Sequence, residues 1–238
     1  ASIFLFFVST FCHADLNDGL VAYFPLDGNA TDMVTGVNGT IHGGANSVPN
    51  RWGLPSTAYS FDGVDDNIEA PYHSSYSSNQ FSFSLWVNPS ANSNLHGSPI
   101  TFRGTHQGFL LYKDPDNTWS PWVGTGTSWV SETNLDSITL NQWVFITCTY
   151  NGTVFKGYKN GNLIDSSSLI DSSSQSFSPN TSKPLRIGAG RTEGTADYYF
   201  NGIVDEVRIY NRALSEFEIK QLKIIDNPLP IANNLKNG

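Results

Sequence analysis

The chain has 238 residues, 14% of them charged and 13% aromatic. That is too few charges for a helical bundle, and the length is one at which an all-β sandwich remains a single domain. The formal net charge of −8 argues against a nucleic acid or an anionic membrane surface as partner, because both need clustered Lys and Arg. It suits solution outside the cell, or the binding of cations.

At the start of the chain, Ile3-Phe-Leu-Phe-Phe-Val8 is apolar but too short to span a bilayer, and Cys12-His13-Ala14 follows with small residues first and third. This is the pattern of a signal peptide cleaved near Ala14, and it predicts a secreted or cell-surface protein with no inserted membrane segment. Once Cys12 is removed, Cys148 is left without an internal disulfide partner, so a large core or a metal must hold the fold. Asn29, Asn38, Asn151 and Asn180 each begin a glycosylation triplet, which has meaning only in a eukaryotic host.

From residue 15 onward, period-two alternation dominates. Strands are expected at Leu20 to Leu26, Ala58 to Asp62, Phe81 to Val87, Pro99 to Phe102, Phe109 to Tyr112, Thr118 to Val123, Val144 to Tyr150, Thr153 to Tyr158, Leu185 to Ile187 and Gly202 to Tyr210. In Val144 to Tyr150 the even positions are the apolar row, which places Cys148 inside as a structural thiol rather than a nucleophile. Asn151-Gly152 and Asn160-Gly161 predict type I′ hairpin turns. No strand alternates with a long amphipathic helix, which disfavours a parallel α/β sheet. One helix is expected after Leu214, with Ser215 and Glu218 as a capping box and Leu214 stapled to Ile219. Two prolines after Asp226 then stop regular structure. The expected organisation is a signal remnant at 1–14, one domain at 15–224, and a linker or tail at 225–238 through which the domain could be appended to a larger chain.

Five segments together resemble the laminin-G-like members of the concanavalin A-like lectin/glucanase superfamily. They are Gly19-Leu-Val-Ala-Tyr-Phe-Pro-Leu-Asp-Gly-Asn-Ala-Thr-Asp32, Tyr59-Ser-Phe-Asp-Gly-Val-Asp-Asp-Asn-Ile68, Phe81-Ser-Phe-Ser-Leu-Trp-Val87, Asn141-Gln-Trp-Val144, and Phe200 to Ser215. They occur in family order over about Gly19 to Leu222. The resemblance implies an all-β jelly roll of two antiparallel sheets, serving as an extracellular binding or adhesion module.

Asp205 has the strand parity of Ile203, Val207 and Ile209, which puts a carboxylate in a core-facing row. An uncompensated buried charge costs several kcal/mol, so Asp205 must have a partner. Calcium, with roughly six to eight oxygen ligands, is one expectation. The resemblance implies that the first and last strands lie together around a structural calcium, which selects Asp27, Asp32 and Asp205, with Asp62 behind them. The bland alternative is that Asp27, Asp62, Asp65 and Asp66 are turn residues capping their own backbone. Zinc is disfavoured, because His13, His42, His73, His96 and His106 show no paired spacing.

Trp86 and Trp143 fall on regular strands and are expected to pack. Trp119, Trp122 and Trp129 lie in a Gly/Thr-rich strand and loop, where flat rings could stack on sugars while Arg103, His106 and Asn117 supply hydrogen bonds. Trp119 and Trp122 have opposite parity, so at most one of them can face the core. The sequence contains no nucleophile elbow or phosphate loop and no suitably spaced acid pair on one strand face. A non-catalytic module binding a polysaccharide or glycan is therefore expected, with adhesion to a protein as the alternative.

Overall fold

A computed structural model describes residues 15–91, 95–131, 135–167 and 176–225. The expected signal peptide, and the expected tail from residue 226 onward, lie outside them. In chain order the strands are β1 (Leu20–Phe24), β2 (Thr40–His42), β3 (Asn46–Val48), β4 (Ala58–Asp62), β5 (Asn67–Ala70), β6 (Phe81–Pro89), β7 (Gly97–Gly104) and β8 (Gln107–Lys113). They continue with β9 (Trp119–Gly124), β10 (Trp129–Val130), β11 (Val144–Tyr150), β12 (Phe155–Lys159), β13 (Asn162–Ser167), β14 (Leu185–Ile187) and β15 (Asn201–Tyr210), and one helix, α1 (Glu216–Ile225), follows.

The strands form two antiparallel sheets stacked as a jelly-roll sandwich. One has eight strands in the order β13-β12-β11-β6-β15-β4-β3, with β1 also paired to β15; the other has seven, in the order β10-β9-β8-β7-β14-β5-β2. Alternation explains the stacking, since the longer strands, such as β1, β6, β8, β11 and β15, turn apolar side chains inward. Phe81 and Phe83 of β6 stack on Phe109 of β8 with ring centroids 4.8 and 5.0 Å apart, which joins the two sheets directly. Cys148 is fully buried in this core, and burial raises its thiol well above the usual range.

Two local expectations need correction. Asn160 and Gly161 both adopt positive φ (54° and 80°), as a type I′ turn requires. At the other Asn-Gly pair only Gly152 does so. There Asn151 Oδ1 accepts from the backbone N–H groups of Thr153 and Val154 at 3.0 and 2.8 Å, and this side-chain turn replaces the type I′ geometry. The second correction concerns β15. A β-bulge between Asp205 and Arg208, with Glu206 at φ 56°, shifts the alternation by one residue. Val204, Val207 and Ile209 therefore face the core, whereas Asp205 lies opposite Trp86 on the outer face.

That outer face is covered by α1. Trp86, Phe145, Tyr158 and Tyr210 form a second cluster with Leu214, Ile219 and Leu222. The capping box is present: Ser215 Oγ accepts from Glu218 N at 3.3 Å, and Ser215 N donates to Glu218 Oε2 at 2.7 Å.

Candidate functional site

The cross-strand register of the seven-stranded sheet decides which tryptophans are available. Leu110 pairs with both Thr101 and Trp122, so these three share a row facing away from the core. Arg103 and Tyr112, two residues further along their strands, continue that face, and Trp129 joins it opposite Gly124. The β7–β8 turn can lie against this edge because Gly124 has no side chain; a Cβ there would collide with the backbone of His106 and Gln107.

The face is roofed by the loop between β14 and β15. Arg186 holds the loop down, with Nε donating to Glu69 Oε2 at 2.7 Å and NH1 donating to the carbonyl of Arg191. Thr192 Oγ1 donates to the carbonyl of Arg103. This brings Glu193 onto Arg103, whose Nε donates to Glu193 Oε2 at 3.0 Å while NH2 pairs with Oε1.

Sheet and roof together form an open cavity of about 240 Å³ lined by His96, Arg103, Leu110, Tyr112, Trp122, Trp129 and Tyr198. Its walls are interlocked: the Arg103 guanidinium lies 4.6 Å from the Trp129 ring centroid, and the Tyr112 and Tyr198 rings meet edge-on at 5.5 Å. Arg103 NH1 donates to Tyr112 Oη at 3.0 Å. Burial pushes the Tyr112 phenol up to about 12, so it stays protonated and keeps a hydrogen to donate. Asp114 Oδ1 lies 2.7 Å from His96 Nδ1, and Trp122 Nε1 donates to Ser120 Oγ at 3.2 Å.

Of the ligand-site residues expected from sequence, Arg103, Trp122 and Trp129 line this cavity. His106 stands at its rim, 6.4 Å from the Trp129 ring. Trp119 does not belong to the site: its odd parity with Val123 turns it into the core, where it is fully buried. Asn117 is also excluded, because it sits at φ 62° in the β8–β9 turn, its N–H donating to the carbonyl of Asp114. Tyr112 was missed; its parity with Leu110 is a signal, but the face becomes known only through the register with Thr101 and Trp122. His96, Glu193 and Tyr198 come from distant loops and carry no local signal.

The four acids expected to hold calcium do not assemble around one point. Asp205 Oδ2 accepts from Arg51 NH1 at 2.9 Å with both side chains buried, so its compensating charge is a guanidinium. Asp32 accepts from Tyr23 N at 2.8 Å, Val34 N at 3.0 Å, Tyr76 Oη at 2.7 Å and the Thr35 hydroxyl, which fills its lone pairs. Asp27 is exposed, its carboxyl raised by partial burial and by the nearby charge of Glu206. Asp62 caps its own turn by accepting from Val64 N at 2.8 Å. Among the described residues one trio of acids offers carboxylate oxygens within 4.8 Å of one another, namely Asp62, Asp65 and Asp66.

A family model described as the concanavalin A-like lectin/glucanases superfamily, of laminin-G type, matches residues 62–220. A search of curated proteins finds no match. Among solved structures, domain 4 of AbnA, a GH43 extracellular arabinanase from Geobacillus stearothermophilus in complex with arabinotriose, superposes with a TM-score of 0.66. It is 23% identical, over 86% of this chain and 98% of that one. The binding domain of Paraclostridial Mosquitocidal Protein 1 gives a TM-score of 0.71 at 20% identity, over 88% of this chain and 52% of that one. The receptor binding domain of botulinum neurotoxin D gives 0.66 at 19%, over 88% and 53%. The chain thus spans about half of each toxin domain, and at these identities the likeness is one of fold.

Proposed function

This chain belongs to the concanavalin A-like lectin/glucanases superfamily, and we propose that it is a secreted, non-catalytic module that binds a neutral saccharide in the cavity roofed by the β14–β15 loop. The observation that carries this reading is the composition of the wall. Indole and phenol rings from Trp122, Trp129, Tyr112 and Tyr198 surround a space of about 240 Å³, and apolar ring faces with a few fixed polar groups suit the C–H faces and hydroxyls of a sugar. Arg103 is already neutralised by Glu193, so its remaining N–H groups serve as hydrogen-bond donors to hydroxyls rather than as a site for an anion.

The nearby carboxylates support a binding role. Glu193 is held by Arg103 and by the backbone N–H of Thr192, and Asp114 by His96 and the Ser120 hydroxyl. An acid or base working on a glycosidic bond must be able to exchange its proton with the substrate. The arabinanase domain carries arabinotriose, which makes neutral pentose and hexose oligomers the first ligands to titrate. The reading retains a structural calcium only with Asp62, Asp65 and Asp66 as its donors, since their chemistry is oxygen alone.

Isothermal titration with a panel of neutral oligosaccharides, arabinotriose included, tests the proposal. At least one should bind, and Trp122→Ala or Trp129→Ala should weaken that binding by about tenfold or more, the loss of roughly 1.4 kcal/mol of ring contact. No binding across the panel, together with capture of a defined protein on the same face, would transfer the site to the protein-binding alternative.

A further inference from the structure

A larger cavity lies on the opposite sheet. An open groove of about 440 Å³ runs between α1, the β12–β13 hairpin and the turn after β3, lined by Trp52, Trp86, Asn160, Asn162, Lys220 and Lys223, with Ile224 also lining it. Its aromatic wall is held from behind. The buried Arg51 guanidinium lies 4.3 Å from the Trp86 ring centroid and 5.3 Å from that of Trp52, and its ion pair with Asp205 fixes it in place. The β-bulge that turns Asp205 outward therefore positions an arginine, and the arginine positions two indoles. Trp52 remains 45% exposed, so much of its surface faces the groove and solvent.

The polar lining has one sign. Asn160 Oδ1 accepts from Phe145 N at 3.1 Å, which fixes the amide and leaves its Nδ2 hydrogens as donors. Lys220 and Lys223 project from one side of α1, and neither forms an ion pair among the described residues. Among the described residues no carboxylate lines the groove. In a chain of net charge −8 with 13 basic residues, two ammonium groups with no ion-pair partner among the described residues, set beside two indoles, form a local positive site with an apolar wall.

We propose that this groove is a second saccharide site, selective for an anionic sugar whose ring lies against the Trp52–Trp86 wall and whose carboxylate or sulfate meets Lys220 and Lys223. Ring stacking supplies contact area, and the lysines supply charge recognition as strongly hydrated point charges, so binding should fall steeply with added salt. The first cavity, with its neutralised arginine, lacks this preference.

Fluorescence titration of the two groove tryptophans with three probes tests the proposal: an oligogalacturonate, its methyl-esterified form, and a sulfated oligosaccharide such as a heparin fragment. The expected result is binding of the oligogalacturonate, the sulfated probe or both, with the esterified form at least tenfold weaker than its acid. The Lys220→Ala/Lys223→Ala variant, which changes only α1 surface positions, should lose at least tenfold for the anionic probes, and Trp52→Ala should do the same. Trp122→Ala should bind them unchanged, which separates this site from the first. Absence of binding by both anionic probes overturns the proposal, and so does binding that survives the double lysine substitution. Binding of only one anionic probe, lost on that substitution, supports the site and identifies which anion it takes.

Discussion

The pair formed by Asp205 and Arg51 shows how one side chain can carry several consequences. Both groups are almost wholly buried, 2.9 Å apart, in a setting where each charge is tolerable only because of the other. Asp205→Asn should therefore lower stability by about 3 kcal/mol, as read by urea denaturation, because it leaves a buried guanidinium without its counter-charge. The double variant Asp205→Leu/Arg51→Met should recover most of that loss, since apolar replacement of a buried pair is often neutral. If the single substitution proves as mild as the double, the pair is not the anchor described. At this scale the sequence was half readable. A charge in a strand had to have a partner, but Arg51 is 154 positions away, and the bulge at Glu206 reversed the face on which the partner would be found. Trp119 and Trp122 show the same limit: parity separated them into one inward and one outward ring, and only the register with Leu110 established which was which.

At the scale of elements, α1 was legible almost to its ends because its signals are local. Ser215 and Glu218 close the capping box, and Leu214 and Ile219 share one cluster, as a hydrophobic staple requires. Burial alone raises the Glu218 carboxyl, but hydrogen bonds from Arg212 and from Ser215 outweigh it and bring it below its ordinary value. A carboxyl depressed in the folded state contributes stability that is full above its unfolded pKa and is lost as pH falls through its folded value. Glu218→Gln should thus cost about 1 kcal/mol near neutrality. The difference from the parent chain should shrink to nothing in acid, below the carboxylate range, as followed by denaturant melts at several pH values. A gap that persists unchanged at low pH would show the loss to be one of packing rather than charge. The roof of the first cavity had no such signature. Its residues act through Arg186 and Thr192 reaching back to other strands, contacts that alternation within a segment cannot reveal.

At the scale of the whole molecule, the chain's first and last strands meet through a backbone ladder. β1 pairs with β15 from Leu20↔Tyr210 to Phe24↔Val207, and β15 continues across to β4 and β6, so one ten-residue strand ties three neighbours together. That adjacency was foreseen from the family resemblance. The metal expected at the seam came from that same resemblance and from the charge of Asp205 in a strand, and at that seam Asp32 and Asp205 accept hydrogen bonds from protein donors. Calcium at Asp62, Asp65 and Asp66 would instead brace the β4–β5 turn, where Asp66 accepts from Asp62 N at 2.9 Å and from Gly44 N. Its effect would still spread through the molecule, because one core joins both sheets and a ligand that binds only the folded state stabilises the whole cooperative unit. Calcium at about a hundred times its dissociation constant adds roughly 2.7 kcal/mol, which for a domain of this size raises the melting temperature by about 5–10 °C. Calorimetry should show a single transition that moves up with calcium and returns with a chelator, while Asp65→Asn, at an exposed position, should melt near the chelated value and ignore the ion. A parent chain whose melt is the same with calcium and with chelator has no structural calcium, and its two sheets are then joined through the aromatic core in which Phe81 and Phe83 stack on Phe109.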